Sequence, residues 1–140
     1  MSRRIVIDAN IALAWLFNED GSTAQLQPLL DSSELVAPTL WQLEVTNAIL
    51  VHERRKTLTH SQALQSLQLV DDLAVELVPD PTARTATALA QVARPHQLTS
   101  YDAVYLDLAV RSALALFTRD KNLRAAAGRV GVPLVPRVAP

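Results

Sequence analysis

The chain has 140 residues, 49% of them hydrophobic, enough to bury a core and to set the expectation of a single domain over residues 1–140. With 13 basic residues against 14 acidic ones, bulk charge does not attract a polyanion, and any such partner must be held by local features. The absence of cysteine excludes disulfides, thiolate chemistry and cysteine-based zinc sites; the apolar run before Asp8 is too short for a signal-peptide core and none approaches the roughly 18 residues of a membrane span, so a cytoplasmic protein with no membrane partner is expected.

Ile5 to Ile7 form a fully apolar β-branched run, the pattern of a strand buried on both faces of a parallel sheet, and Asp8 stands at its carboxyl end. After Asp8-Ala-Asn10, the apolar stretch Ile11 to Phe17 predicts a short helix against that sheet, broken by Asn18-Glu-Asp-Gly21. Ser22 opens a second helix with Leu26, Leu29 and Leu30 on one side, in which Pro28 predicts a bend or an early stop. Leu35 to Ala37 is the second strand, closed by Pro38, and Thr39 is the expected cap of a long helix reaching about Arg55. Thr59 or Ser61 caps a further helix carrying Leu64, Leu67 and Val70; Val75 to Val78 is a third strand, and Pro81 to Ala93 an Ala-rich helix ended by Arg94-Pro95. The last third continues with a helix from Ser100, a strand at Leu116 to Thr118 with its apolar lead-in from Leu114, a helix from about Lys121 to Arg129, and a final strand from Val132 to Val135 after Gly131. Beyond it the Pro-containing tail to Pro140 is expected to fray. Five short strands alternating with helices predict an α/β protein with a short, mostly parallel sheet flanked by helices and active residues at its carboxyl edge.

Four acids fall at comparable places in this scheme. Asp8 ends the first strand, Asp120 follows the fourth, Glu44 lies just over one turn into the helix after the second, and Asp102 is in the first turn of the helix from Ser100. A parallel sheet permits all four to converge on one edge. Each of three has a structural alternative: Asp8 and Asp120 as helix caps, and Asp102 in a capping box with Thr99, where Asp takes the place more often held by Glu or Gln. Glu44 differs, because it shares an apolar stripe with Leu40, Ala48 and Val51, and an unpaired buried carboxylate is costly.

A cluster of carboxylates repels itself and raises its own pKa values unless a cation is present. Oxygen donors alone, with no Cys and no His beside them, favour Mg²⁺ or Mn²⁺ over zinc. Such a centre suits phosphoryl chemistry, one ion acidifying a water and a second, if present, stabilising the leaving oxygen. Asn10 and Thr118, each two residues from an acid, are placed to orient ligands or water, or else to make ordinary turn hydrogen bonds.

Arg119, Lys121 and Arg124 flank Asp120 and suit the guidance of a phosphate backbone to the metals. Asp107 precedes Arg111 by four positions, the favourable order for an exposed helical ion pair, and is left outside the site. His52, His60 and His96 are scattered and expected at the surface, Glu19-Asp20 and Asp71-Asp72 face solvent, and Arg54-Arg55-Lys56 complements a helix end.

Val-Ile-Asp-Ala-Asn near the start, the mid-chain helix with Glu44, Ser-Tyr-Asp-Ala-Val-Tyr-Leu, and Thr-Arg-Asp-Lys-Asn-Leu together resemble the PIN-domain nucleases, and among these the VapC toxins of type II toxin-antitoxin systems. Motif order, spacing and length agree over the whole chain. The resemblance implies a Rossmann-like PIN fold and a Mg²⁺- or Mn²⁺-dependent endoribonuclease whose catalytic, metal-binding acids are Asp8, Glu44, Asp102 and Asp120. It also implies a homodimer held inactive by a cognate VapB-like antitoxin, with RNA as the substrate. One departure is structural: family members often carry a Gly-containing turn before the fourth strand, where this chain has Ser112-Ala113-Leu114-Ala115.

Two rival functions are weighed. A haloacid-dehalogenase-like phosphatase uses Asp-x-Asp after its first strand, and here the second acid is replaced by Asn10. A PIN-like binding module without activity is disfavoured by the presence of all four acids. A dimer is also suggested by composition, since 49% hydrophobic against 19% charged residues, with helices such as Ile11 to Phe17 and Ala83 to Ala93, leaves more apolar surface than one small sheet covers.

Overall fold

The computed structural model describes residues 3–79 and 85–136. Strand β1 (Arg3–Ile7) runs through the middle of the sheet, and Ile5, Val6 and Ile7 are buried on both faces, as a continuous apolar run requires. Strands β2 (Ser33–Pro38) and β3 (Glu76–Val78) lie on one side of it and β4 (Ala115–Phe117) on the other, all parallel, in the order β3-β2-β1-β4. The expected fifth strand is absent as a strand: Val132 to Val135 reaches β4 through a single parallel bridge, Leu116 to Leu134. Leu116 N–H donates to the Pro133 carbonyl and Val135 N–H to the Leu116 carbonyl. Pro133 has no N–H to give Leu114 on one side, and on the other the carbonyls of Thr118 and Val135 accept from Arg124, so the pairing stays at one bridge.

Helices α1 (Ala9–Leu16) and α2 (Thr23–Asp31) connect β1 to β2; α3 (Thr39–Arg54) and α4 (His60–Asp72) connect β2 to β3. Helices α5 (Ala86–Ala93) and α6 (Ser100–Ser112) lead back to β4, and α7 (Lys121–Val130) follows it. The first four helices pack among themselves, whereas α6 lies on β1, β2 and β4 and carries α5 and α7 against it. Right-handed crossovers account for this division, because the chain moves outward from β1 to β3 and then reverses to β4. The reversal puts the switch point between β1 and β4, where open parallel sheets bind their ligands.

Local details refine the sequence expectations. Pro28 does not stop α2, which runs on to Asp31 with Leu26 and Leu30 in the core. Thr39 is not a cap but the first residue of α3: β2 passes directly into the helix through Pro38, which is extended and has no side-chain donor or acceptor. Thr59, not Ser61, caps α4, in a full capping box with Gln62. The Ala-rich helix is described from Ala86, and Pro81 to Arg84 of its expected range lie outside the described residues, as do Arg137 to Pro140 of the tail.

In the turn Ser112-Ala113-Leu114-Ala115, Ala113 adopts the left-handed conformation (φ 53, ψ 42) that ends α6. A Cβ in that region costs about 1–2 kcal/mol, part of which glycine returns through its looser unfolded chain. Ala113→Gly is therefore expected to stabilise the protein by about 0.5–1 kcal/mol, read as a rise of roughly 2–4 °C in melting temperature. An unchanged or lowered melt would show that the turn carries no strain.

Candidate active site

An open cleft at the carboxyl edge of the sheet is lined by Asp8, Ala9, Asn10, Leu13, Glu44, Asn47, Asp102 and Asp120. The four sequence-selected acids thus border one space, reached from four different elements. Asp8 follows β1, and its N–H donates to the Phe117 carbonyl (2.9 Å), carrying the β1–β4 pairing one residue past the strand. Its carboxylate is 6% exposed. One oxygen, Oδ1, faces the Asn10 N–H at 3.5 Å as the cap of α1, and Oδ2 accepts from the Thr118 hydroxyl at 2.7 Å.

Thr118 ties this corner together. With its proton donated to Asp8, its oxygen accepts from Asn10 Nδ2 (3.2 Å) and from the Asp120 N–H (3.1 Å), while Asn10 Oδ1 accepts from the Arg119 N–H (3.2 Å). Asp120 Oδ1 accepts from the Leu123 N–H (2.8 Å) and caps α7. Capping and cleft lining are therefore not alternatives for Asp8 and Asp120; both carboxylates do both. At Asp102 the two separate. Thr99 caps α6 by accepting from the Asp102 N–H (3.1 Å), but Asp102 returns no hydrogen bond to the Thr99 N–H; its carboxylate lines the cleft with the Thr99 hydroxyl beside it.

Glu44 sits differently from the sequence expectation. The buried face of α3 is Trp41, Val45 and Ile49, and Leu40, Ala48 and Val51, like Glu44, occupy its half-buried shoulder. Of that shoulder Glu44 lines the cleft, where Tyr105 Oη donates to its Oε1 at 2.6 Å. Tyr105 escaped the sequence analysis, as did Asn47 and Leu13. Each lies three residues after a selected residue on the same helix (Asp102, Glu44 and Asn10), so helical spacing was the available signal.

The flanking cations are engaged locally. Arg119 pairs with Glu19 (3.3 Å) and Asp20 (3.1 Å), which accordingly do more than face solvent. Arg124 Nη1 donates to the carbonyls of Thr118 (3.1 Å) and Val135 (3.0 Å), making it a strut between β4 and the tail. Lys121 is exposed. Two residues outside the cleft are less solvated than expected: Asp107 is largely buried, 3.7 Å from Arg111, with Oδ2 free of hydrogen bonds, and His52 packs its ring, tilted by 43°, 4.4 Å from that of Phe17.

The acids perturb one another. Burial pushes Asp8 up from 3.8 to about 7, against the Thr118 hydrogen bond and with the charges of Asp102 and Glu44 adding to the rise. Burial also raises Glu44, where the Tyr105 hydroxyl opposes it and Asp102 adds, and raises Asp102, where Asp120 adds and Thr99 opposes. Such a centre is short of positive charge. Its oxygen donors match a hard divalent cation by chemistry, although among the described residues no group of three or more His, Cys, Asp or Glu side chains is drawn into a ready coordination shell. Mg²⁺ does not require one, since it keeps several waters and takes only one or two carboxylates directly.

The Asp8 carboxyl holds its proton to about pH 7 when folded but releases it near 3.8 when unfolded. Between those values the folded chain binds more protons, so stability of the metal-free protein falls as pH rises through that window. Metal-free wild type is expected to melt at lower temperature at about pH 8 than at about pH 5, and Asp8→Asn to shrink that difference. A variant that keeps the full difference would locate its cause elsewhere.

Comparison with known proteins follows the same outline. Solved structures of similar fold include PAE2754 from Pyrobaculum aerophilum (24% identity over 95% of this chain and 83% of that one, TM-score 0.67). Two others are VapBC2 from Rickettsia felis, bound to a DNA fragment from their promoter (12% identity, 94% and 97% covered, TM-score 0.63), and FitAcB from Neisseria gonorrhoeae (18% identity, 94% and 96% covered, TM-score 0.64). Curated protein sequences give no significant match. The sequence pattern of one family covers residues 5–129, a span that holds all four acids of the cleft and every strand-to-helix junction that delivers them: the chain belongs to the PIN domain family.

Proposed function

We propose that this chain is a Mg²⁺- or Mn²⁺-dependent endoribonuclease, built as one PIN domain and acting as the toxin of a type II toxin-antitoxin pair. PIN domains are in general nucleases. The observation that carries the proposal is the meeting of Asp8, Glu44, Asp102 and Asp120 around one open cleft with oxygen donors only. These four acids would hold the cation, which when bound supplies Lewis acidity toward water and phosphate oxygens. The rest is done by the chain itself. Thr118 and Asn10 hold Asp8 and the backbone of Asp120 in register, and Lys121, exposed one residue from Asp120, offers a charge to the RNA backbone. The phosphatase alternative loses ground here, because Asn10 stands in the place of its second acid and is occupied with Thr118 and Arg119.

The similar folds of VapBC2 and FitAcB support an antitoxin partner, and exposed apolar side chains beside the cleft suit one. Leu43 and Leu50 stand outward on α3, 67% and 42% exposed, on either side of the cleft residue Asn47. Tyr101 and Val110 on α6 and Leu64 and Leu69 on α4 are exposed as well, surface that a two-fold partner would cover. Among the described residues no helix is long and apolar enough to cross a membrane. A cytoplasmic location follows from a cellular RNA substrate.

Two measurements test this function. Asp8→Asn, which removes charge with little change of volume, is expected to fold normally and to lose Mn²⁺-dependent RNA cleavage by at least about 100-fold; full activity in the variant would overturn the metal site. Light scattering at micromolar concentration is expected to give a dimer, and a monomer there would remove the two-fold assembly.

A further inference from the structure

We infer that Tyr105 is a positioning residue for the cation site, its hydroxyl holding the Glu44 carboxylate in the orientation that presents it to the cleft. This role rests on the proposed metal site. Glu44 is half-buried at the edge of α3, and its side chain turns about three bonds, so nothing in its own helix fixes where its oxygens lie. Tyr105 does so from the opposite layer. Its side chain is 1% exposed and packed into the core, its hydroxyl reaches Glu44 Oε1 at 2.6 Å, and the bond leaves Oε2 for the cleft. Tyr105 also lies three residues after Asp102, so the same stretch of α6 delivers one acid directly and orients a second from another helix.

A phenol keeps its proton at neutral pH and a carboxylate oxygen accepts, so at 2.6 Å the Tyr105 hydroxyl is the donor and Glu44 Oε1 the acceptor. A donor of this kind has two effects on a metal-binding carboxylate. It fixes the rotamer before the cation arrives, and it favours the ionised form. A tyrosine placed merely to fill the core would show neither, because its hydroxyl would then be indifferent to whether Glu44 binds a cation.

The test is a double-mutant cycle read by calorimetric titration with Mn²⁺, with RNA cleavage as a separate readout. Glu44→Gln and Tyr105→Phe are each expected to weaken Mn²⁺ binding, Tyr105→Phe by about tenfold, and the double variant to bind within about twofold of Glu44→Gln alone. Wild-type affinity in Tyr105→Phe, or a loss that persists undiminished in the Glu44→Gln background, would overturn the role of Tyr105 while leaving the metal site standing. Wild-type affinity in Glu44→Gln would overturn both. A second measurement leaves Tyr105 intact: in Tyr101→Phe it is the sole tyrosine, and its Raman doublet reports whether the hydroxyl donates. The donor signature is expected to survive saturation with Mg²⁺, and its loss on metal binding would overturn the proposal.

Discussion

Burial of the Asp8 carboxylate at the junction of β1 and β4 is the constraint on which the carboxyl edge of the sheet depends. A carboxylate that deep is tolerable only if its oxygens are matched. Thr118 supplies the decisive match, and because a hydroxyl has one proton, giving it to Asp8 leaves the Thr118 oxygen as an acceptor for Asn10 and the Asp120 backbone. The network thereby passes from one strand end to the other and sets Asp120 beside Asp8. Arg124 braces the same corner from below by binding the Thr118 and Val135 carbonyls.

Helix beginnings do much of the remaining placement. Asp8 and Asp120 cap α1 and α7, and Asp102 is in the first turn of α6, where unpaired N–H groups and the helix dipole favour negative charge. That attraction lets acids gather at one edge without unfolding it. It does not cancel their repulsion, which adds to the larger effect of burial in raising Asp8, Glu44 and Asp102. The centre is stable enough to fold and still short of positive charge, which is the condition under which a divalent cation binds with net gain. Glu44 is the exception to the pattern, too far into α3 to use the dipole, and it leans on a side chain from another helix instead.

How much could be seen in the chain beforehand depends on whether the signal was local. Ile5 to Ile7 and Leu35 to Ala37 announce buried parallel strands because both faces must be apolar, and Asp8, Asp102 and Asp120 are marked by their places beside such a run or at a helix start. Val132 to Val135 carries the same apolar signal, yet Pro133 on one side and Arg124 on the Thr118 and Val135 carbonyls on the other leave it a single bridge, a limit visible only when the neighbouring strand is in place. The apparent stripe of Leu40, Glu44, Ala48 and Val51 misjudged the rotation of α3 by part of a turn, since helical spacing gives the period of a face but not the direction of the core.

The sequence by itself determined the alternation of strands and helices, the four acids, the place of Asp8, Asp102 and Asp120 at element ends and the oxygen-only chemistry all four share, because these follow from residue type and spacing along one chain. Tertiary structure alone decided that β4 lies beside β1, that the four acids face one cleft, that Arg119 and Arg124 are engaged by local partners, and that Tyr105 reaches Glu44. Glu44 and Tyr105 are far apart in the chain, and the 2.6 Å between their oxygens exists only because two helices from different layers meet at one edge of the sheet.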